Sequence, residues 1–156
     1  MRIIGVALLF LGALYPMKSY FKAIGERNKM YASLVSVMTR INDKILDTGP
    51  DLYEIFRDYD GDLRSEMLEC SRLSAPGRRS IISSVVACLG DDGEAFCFYI
   101  SAFGKAPGAE EKKKLSCLLE RIASKADDAR SKAKERERAV SVLYISALAS
   151  ALLLAL

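Results

Sequence analysis

The residues that come closest to a chemical motif are acids in the middle of the chain. They occupy positions 1, 3, 5, 9 and 12 of a loop with the spacing of a calcium-binding EF-hand, and they are Asp58, Asp60, Asp62, Glu66 and Glu69. Position 6 of such a loop needs glycine for its sharp turn and here is Leu63, and no second loop follows. We therefore interpret the segment as a polar connector whose aspartates cap helices, and we predict no metal and no cofactor. The alternative is a calcium-responsive adaptor.

The composition disfavours catalysis. The chain has no His, which removes the commonest general base and the commonest zinc ligand. It also has no Trp, which removes the best cation–π partner. The phosphate-binding pattern GxxxxGK[ST] is also absent from the sequence. The net charge is only +3, from 23 basic and 20 acidic residues, and the run Lys112–Lys114 has no interleaved aromatic residues. We predict a protein that is not an enzyme and that does not bind nucleic acid.

The pattern of apolar and turn-forming residues predicts an all-α fold. The first helix is expected to end at Thr48-Gly49-Pro50, and the later helices are expected over 52–56, 62–73, 76–89 and 94–103 and from 109 onward. The apolar stripe of the first helix is predicted at Ile24, Tyr31, Leu34, Val35, Met38, Ile41 and Ile45. Five aromatic residues at helical spacing are assigned to the core, namely Tyr53, Phe56, Phe96, Tyr99 and Phe103. The four cysteines are interpreted as small core hydrophobes.

Both ends of the chain are apolar enough to predict two terminal transmembrane helices. Residues 139–156 carry no charge and would rise about 27 Å as a helix, close to the ~30 Å of a bilayer core. The first segment, 1–24, has an uncharged run from Ile3 to Met17. The predicted domains are therefore a transmembrane helix over 1–24, a helical bundle over 25–138 and a transmembrane helix over 139–156.

Basic residues beside these spans predict the orientation of the bundle. They lie on its side of the spans, at Lys18, Lys22, Arg27, Arg130, Lys134 and Arg138. Positive charge marks the cytoplasmic side, so the bundle is expected in the cytoplasm with its basic residues near anionic lipid. In the alternative, the first span is a cleaved signal and the protein is a secreted or surface-anchored helical binding module.

The charges of the middle segment are separated along the chain. Between residues 47 and 69 eight acids face two arginines, a net charge of −6, whereas five bases and two acids between 130 and 138 give +3. The acidic part is a candidate partner surface for a basic protein, centred on Asp58, Asp60, Asp62 and Glu66. A solvated acidic face without a partner is the alternative.

The order of these features resembles the stage III sporulation protein AB family, which is similar to the F-type inner-membrane platform protein of type II secretion. The resemblance is carried by Arg2-Ile3-Ile4-Gly5, by Glu26-Arg27 after Ile24, by Thr48-Gly49-Pro50-Asp51-Leu52, by Phe103-Gly104 with Gly108, and by the Ala-rich charged segment 126–139. It implies a membrane scaffold of the channel between mother cell and forespore that contacts a secretion-type ATPase and other channel proteins. An oligomer of the chain is a further expectation. It also implies structural roles for Glu26, Arg27, Pro50, Leu52, Phe103, Gly104 and Gly108.

Overall fold

The computed structural model describes the backbone of residues 2–49 and 51–155, and the side chains of residues 19–47, 49, 51–147, 149 and 150. This part of the chain is all-helical. The helices are α1 (Arg2–Thr48), α2 (Leu52–Phe56), α3 (Arg64–Ser71), α4 (Ala75–Val86), a 3₁₀ turn (Ala87–Leu89), α5 (Asp91–Ala102) and α6 (Gly108–Ala155). Two compact units contain them, one over 29–126 and the other over 1–28 with 127–156.

The core of the unit 29–126 is built on one face of α1. Its fully or almost fully buried residues follow a 3-4 spacing, at Tyr31, Leu34, Met38, Ile41 and Ile45, as an amphipathic helix requires. Val37 is also buried, whereas the predicted Val35 and Ile24 are half-buried. On α6 the fully buried positions are Leu115 and Ile122.

Two short helices, α2 and α3, pack against each other. Asp51 caps α2, because its side chain accepts a 2.8 Å hydrogen bond from the Tyr53 amide. Leu52, Ile55 and Phe56 are buried. The assignment of Tyr53 to the core is wrong, since the side chain is 43% exposed. In a helix of five residues, the three buried positions already fill the inward face.

The helices α4 and α5 pack against each other and against the 3₁₀ turn between them. Gly90 precedes α5 with a φ of +59°, a conformation that favours glycine. That turn lets α5 begin at Asp91, three residues before the predicted start at 94. The aromatic residues Phe96, Tyr99 and Phe103 are buried as predicted.

The prediction of two terminal transmembrane helices is wrong. Over the described residues, no helix combines the length and the apolar character that crossing a bilayer needs. From residue 19, α1 carries Lys22, Glu26, Arg27 and Lys29. The rest of the two predicted spans, the side chains of 1–18, 148 and 151–156, lies outside the described residues.

Candidate functional site

The acidic connector, defined as residues 57–63 together with Glu66, leads from α2 into α3. One of its acids is bound to α1. The Oδ2 atom of Asp62 accepts a 2.8 Å hydrogen bond from Ser33 Oγ and lies 3.9 Å from Lys29 Nζ. Asp62 therefore fixes the connector to the bundle, which was not part of its predicted role.

Two of the other acids of the connector, Asp58 and Asp60, are exposed. The side chain of Asp58 is 71% exposed and pairs with Arg57 at 3.5 Å. The hydrogen bond with Asp58 and the charges of the nearby acids raise the pKa of Arg57. Asp60 is exposed, and Glu66 is half-buried and accepts a 2.7 Å bond from the preceding serine hydroxyl. Of the four acids predicted as a partner surface, Asp58 and Asp60 are the best presented.

The acids of the connector do not come together as the ligands of a cation would. Leu63, at the position where an EF-hand has glycine, takes the left-handed conformation with φ 65° and ψ 11° directly before α3. Among the described residues, no three His, Cys, Asp or Glu side chains come together in a way that could hold a metal ion. The acids are therefore spaced along the sequence like the ligands of an EF-hand, but they do not converge in space.

A buried polar network centres on Asp92. This carboxylate is 3% exposed, accepts a 2.9 Å bond from Tyr31 Oη and lies 2.8 Å from Lys125 Nζ and 3.3 Å from Arg121 Nη2. Burial alone would raise the pKa of Asp92, but the hydrogen bonds from Lys125 and Tyr31 and the two positive charges outweigh it and lower the pKa. The network joins α1, α5 and α6. No site role for Asp92 was predicted from the sequence, although its two basic partners, Arg121 and Lys125, lie one helical turn apart on α6.

Arg78 makes a second network, between helix ends. Its Nε donates to the carbonyl oxygens of Cys70 and Leu73, both at 2.9 Å, and its Nη1 donates to that of Phe103 at 3.0 Å. These carbonyls lie at the ends of α3 and α5, where helical partners are missing. Arg78 therefore supplies the terminal hydrogen bonds of two helices. Nothing in the local sequence distinguishes it from its neighbour Arg79.

Five of the six predicted membrane-flanking bases have described side chains, and these lie on exposed helix surface in the unit formed by 1–28 and 127–156. Lys22 pairs with Glu26 at 3.8 Å, and both side chains are exposed. Arg27, Arg130, Lys134 and Arg138 are exposed as well. The side chain of Lys18 lies outside the described residues. Arg136, on the same stretch of α6, donates a 2.7 Å bond to Tyr20 Oη, which links the two helices of this unit.

The family resemblance implies structural roles for several residues, and those that the structure describes include buried side chains and glycines at turns. Leu52 and Phe103 are buried, and Gly104 has a φ of +89° directly after Phe103, so this pair ends α5 with a turn that favours glycine. Gly108 starts α6, where an added Cβ would lie 3.1 Å from the carbonyl oxygen of Ile45. Pro50 lies outside the described residues.

Comparison with known proteins identifies no relative of this chain. The chain matches no family model, no curated protein and no solved structure. The resemblance to the sporulation family stays a prediction that is carried by the residues named above.

Proposed function

We propose that this chain is a non-enzymatic scaffold component of the secretion-like channel of sporulation, where it binds a secretion-type ATPase or another channel protein through its acidic connector. The family resemblance supports the assignment to the channel. The role of a scaffold is supported by the helical bundle, in which Asp92 and Arg78 are engaged in joining helices. The observation that carries the proposal is the outward presentation of Asp58 and Asp60 on a connector that Asp62 fixes in place.

The connector is held to α1 through Asp62 and exposes Asp58 and Asp60, and this arrangement favours binding of a partner. Because the hydrogen bond from Ser33 to Asp62 holds the connector to α1, a partner need not order the whole segment when it binds. The exposed charges increase the association rate with a basic partner, and salt screens this effect. A solvated acidic face without a binding role requires neither the anchor nor the clustering of the acids.

We further propose that the protein works at a membrane surface in a reducing compartment. The bases of 130–138 and the exposed apolar side chains of Val142, Leu143 and Ile145 follow one another on α6. Each base near an anionic surface contributes about 1 kcal/mol of attraction. The four cysteines are free thiols, which suits a reducing environment.

The test of the connector is a charge reversal that leaves its anchor intact. In the double variant Asp58→Lys, Asp60→Lys, we expect affinity for the basic partner to fall at least about tenfold, because attraction becomes repulsion at the exposed positions. The measurement is co-purification of the full-length chain with the channel proteins of a sporulating host, including the ATPase, followed by titration of the partner that is captured.

The matched control is Glu120→Lys, Asp127→Lys, which makes the same change in net charge at two exposed positions of α6. This control variant should capture the partner as the natural chain does. Unchanged capture of every channel component by the connector variant would contradict the proposal, and equal loss in both variants would show an effect of net charge alone.

A further inference from the structure

A groove lies between α5 and α6 in the unit 29–126. Its volume is about 640 Å³, within the roughly 300–1,000 Å³ of sites that bind small molecules. The apolar part of its wall includes Ala95, Phe98, Ala102 and Leu118. The polar part is formed by Tyr99, Lys105, Glu110, Glu111 and Lys114. A ligand of the groove therefore needs an apolar body, and its polar group is selected by these five side chains.

The carboxylate of Glu111 is buried without a cation. Glu111 is 3% exposed, and its Oε1 atom accepts a 3.3 Å hydrogen bond from the Ala106 amide. Among the described residues no base forms an ion pair with it, because Lys114 is paired with Glu110 at 2.9 Å and Lys105 is exposed. A buried carboxylate is costly unless a cation or several donors replace the water that it has lost. Glu111 can therefore accept further donors from a molecule in the groove.

Tyr99 provides a second unsatisfied group in the same wall. Its side chain belongs to a residue that is 7% exposed, and its buried hydroxyl oxygen has no hydrogen-bond partner in the described part of the chain. Burial, and after it the charge of Glu111, raises the pKa of Tyr99. The hydroxyl is therefore near enough to Glu111 to be affected by its charge, although the two groups do not bond. Leaving a buried hydroxyl without a partner costs free energy, and an N–H donor of a ligand would remove that cost.

We propose that the groove binds a small organic ammonium ion, whose N–H groups donate to Glu111 and to the hydroxyl oxygen of Tyr99 while its apolar body lies against Phe98. An ammonium group combines three donors with a positive charge, so a single group supplies both missing partners. At a wall that is closed to water, its attraction to the carboxylate is stronger than in bulk solvent.

The occupant is a free small molecule, because two adjacent polar groups in an otherwise apolar concave wall are the pattern of a small-molecule site. This inference goes beyond the proposed binding of a channel protein. It uses none of the acids of the connector on which that proposal depends.

The test titrates the full-length chain with phenethylammonium chloride and follows the backbone amide signals by NMR. We expect saturable binding with a Kd of about 1 mM or tighter, and shifts centred on the amides of Tyr99, Ala106 and Glu111. Phenethyl alcohol and the hydrocinnamate anion carry the same ring without the positive charge. Both should bind at least about tenfold more weakly, because neither supplies a charged donor to the carboxylate.

Four variants of the full-length chain separate the parts of the site. Glu111→Gln keeps an oxygen for the Ala106 amide but removes the charge, and should weaken binding at least about tenfold. Tyr99→Phe removes only the unpartnered hydroxyl, and should weaken binding about threefold without lowering stability to urea. Lys105→Gln removes an exposed like charge from the lining and should strengthen binding about twofold. The matched control is Glu120→Gln, which removes a carboxylate charge from an exposed position of α6 and should leave binding unchanged.

Three results would overturn the inference. The first is the absence of saturable binding of phenethylammonium up to about 10 mM. The second is equal affinity of the natural chain and Glu111→Gln when circular dichroism shows both folded, since the carboxylate would then select nothing. The third is tighter binding of blocked lysine, acetylated and amidated at its ends, which would identify the occupant as a protein side chain. The Asp58→Lys, Asp60→Lys variant should bind the amine normally, so failure of this proposal and failure of the proposed function are distinguishable.

Discussion

At the scale of single residues, the unit 29–126 depends on polar side chains that tertiary structure brings together. Asp92 has bonding partners on α1 and α6, at positions 61 and 33 residues away in the chain. Its two cationic partners are about half exposed, whereas the carboxylate is buried. Removing the carboxylate therefore affects three helices at once, although water can still reach the two cations.

Replacing Asp92 with alanine should lower the free energy of unfolding by about 1–3 kcal/mol, because the buried Tyr31 hydroxyl loses the carboxylate that accepts its bond. Asp92→Asn keeps an oxygen at this position and should lose less. Urea unfolding at neutral pH, followed by circular dichroism, measures both changes. Equal stability of the natural chain and the alanine variant would contradict the role assigned to the network.

The same variants have an expected pH dependence. Since the folded pKa of Asp92 lies below its ordinary value of 3.8, the ionised group stabilises the fold above that value. This contribution is lost as the pH falls through the folded pKa. The stability difference between the natural chain and Asp92→Asn should therefore be constant near neutral pH and shrink below about pH 4.

At the scale of the helices, close packing between α4 and α5 depends on a glycine. A Cβ atom added at Gly93 would collide with the backbone carbonyl oxygen of Val86, whereas one added at Gly25 of α1 would meet nothing within 4 Å. Both glycines lie inside helices. The same substitution should therefore have opposite effects at the two positions.

Gly93→Ala should destabilise the protein by about 1–3 kcal/mol, because the helices must move apart. Gly25→Ala should stabilise α1 by roughly 0.5–1 kcal/mol, because alanine has the higher helix propensity. Thermal and urea unfolding of the two variants beside the natural chain provide the comparison. Stabilisation by Gly93→Ala would show that α5 does not approach α4 as closely as described.

At the scale of the whole molecule, the reactivity of the four cysteine thiols measures how readily the helical bundle opens. Cys70 and Cys97 are buried, whereas Cys88 and Cys117 are exposed. Burial raises the pKa of Cys70 to about 11, which further suppresses its thiolate. The interpretation of all four cysteines as core residues is therefore wrong for two of them.

Titration of the native protein with an aromatic disulfide reagent at mildly alkaline pH should modify Cys88 and Cys117 quickly. Cys70 and Cys97 should react only through opening of the bundle, which is far slower. In denaturant, all four thiols should react together. Rapid modification of a third or fourth thiol in the native protein would show that the bundle opens readily.

The helices themselves could be predicted from the sequence because their signals are local. Turn residues at Gly49 and Gly104 and the 3-4 spacing on α1 are each contained within a few residues, so the helix order could be derived without knowledge of the fold. The acids of the connector could be located for the same reason. Local pattern was insufficient for Tyr53, whose exposure depends on which three residues of α2 face the bundle.

Other properties were decided only by tertiary structure, because they depend on residues far apart in the chain. The carboxylate of Asp92 meets bases of α6, Arg78 bonds to the ends of two helices, and Asp62 is bound to α1 while Asp58 remains exposed. The sequence by itself determined an all-helical chain with separated charges, since composition and helical period suffice for both. Which of those charges join helices and which remain exposed was decided by packing, since packing alone brings distant side chains within bonding distance.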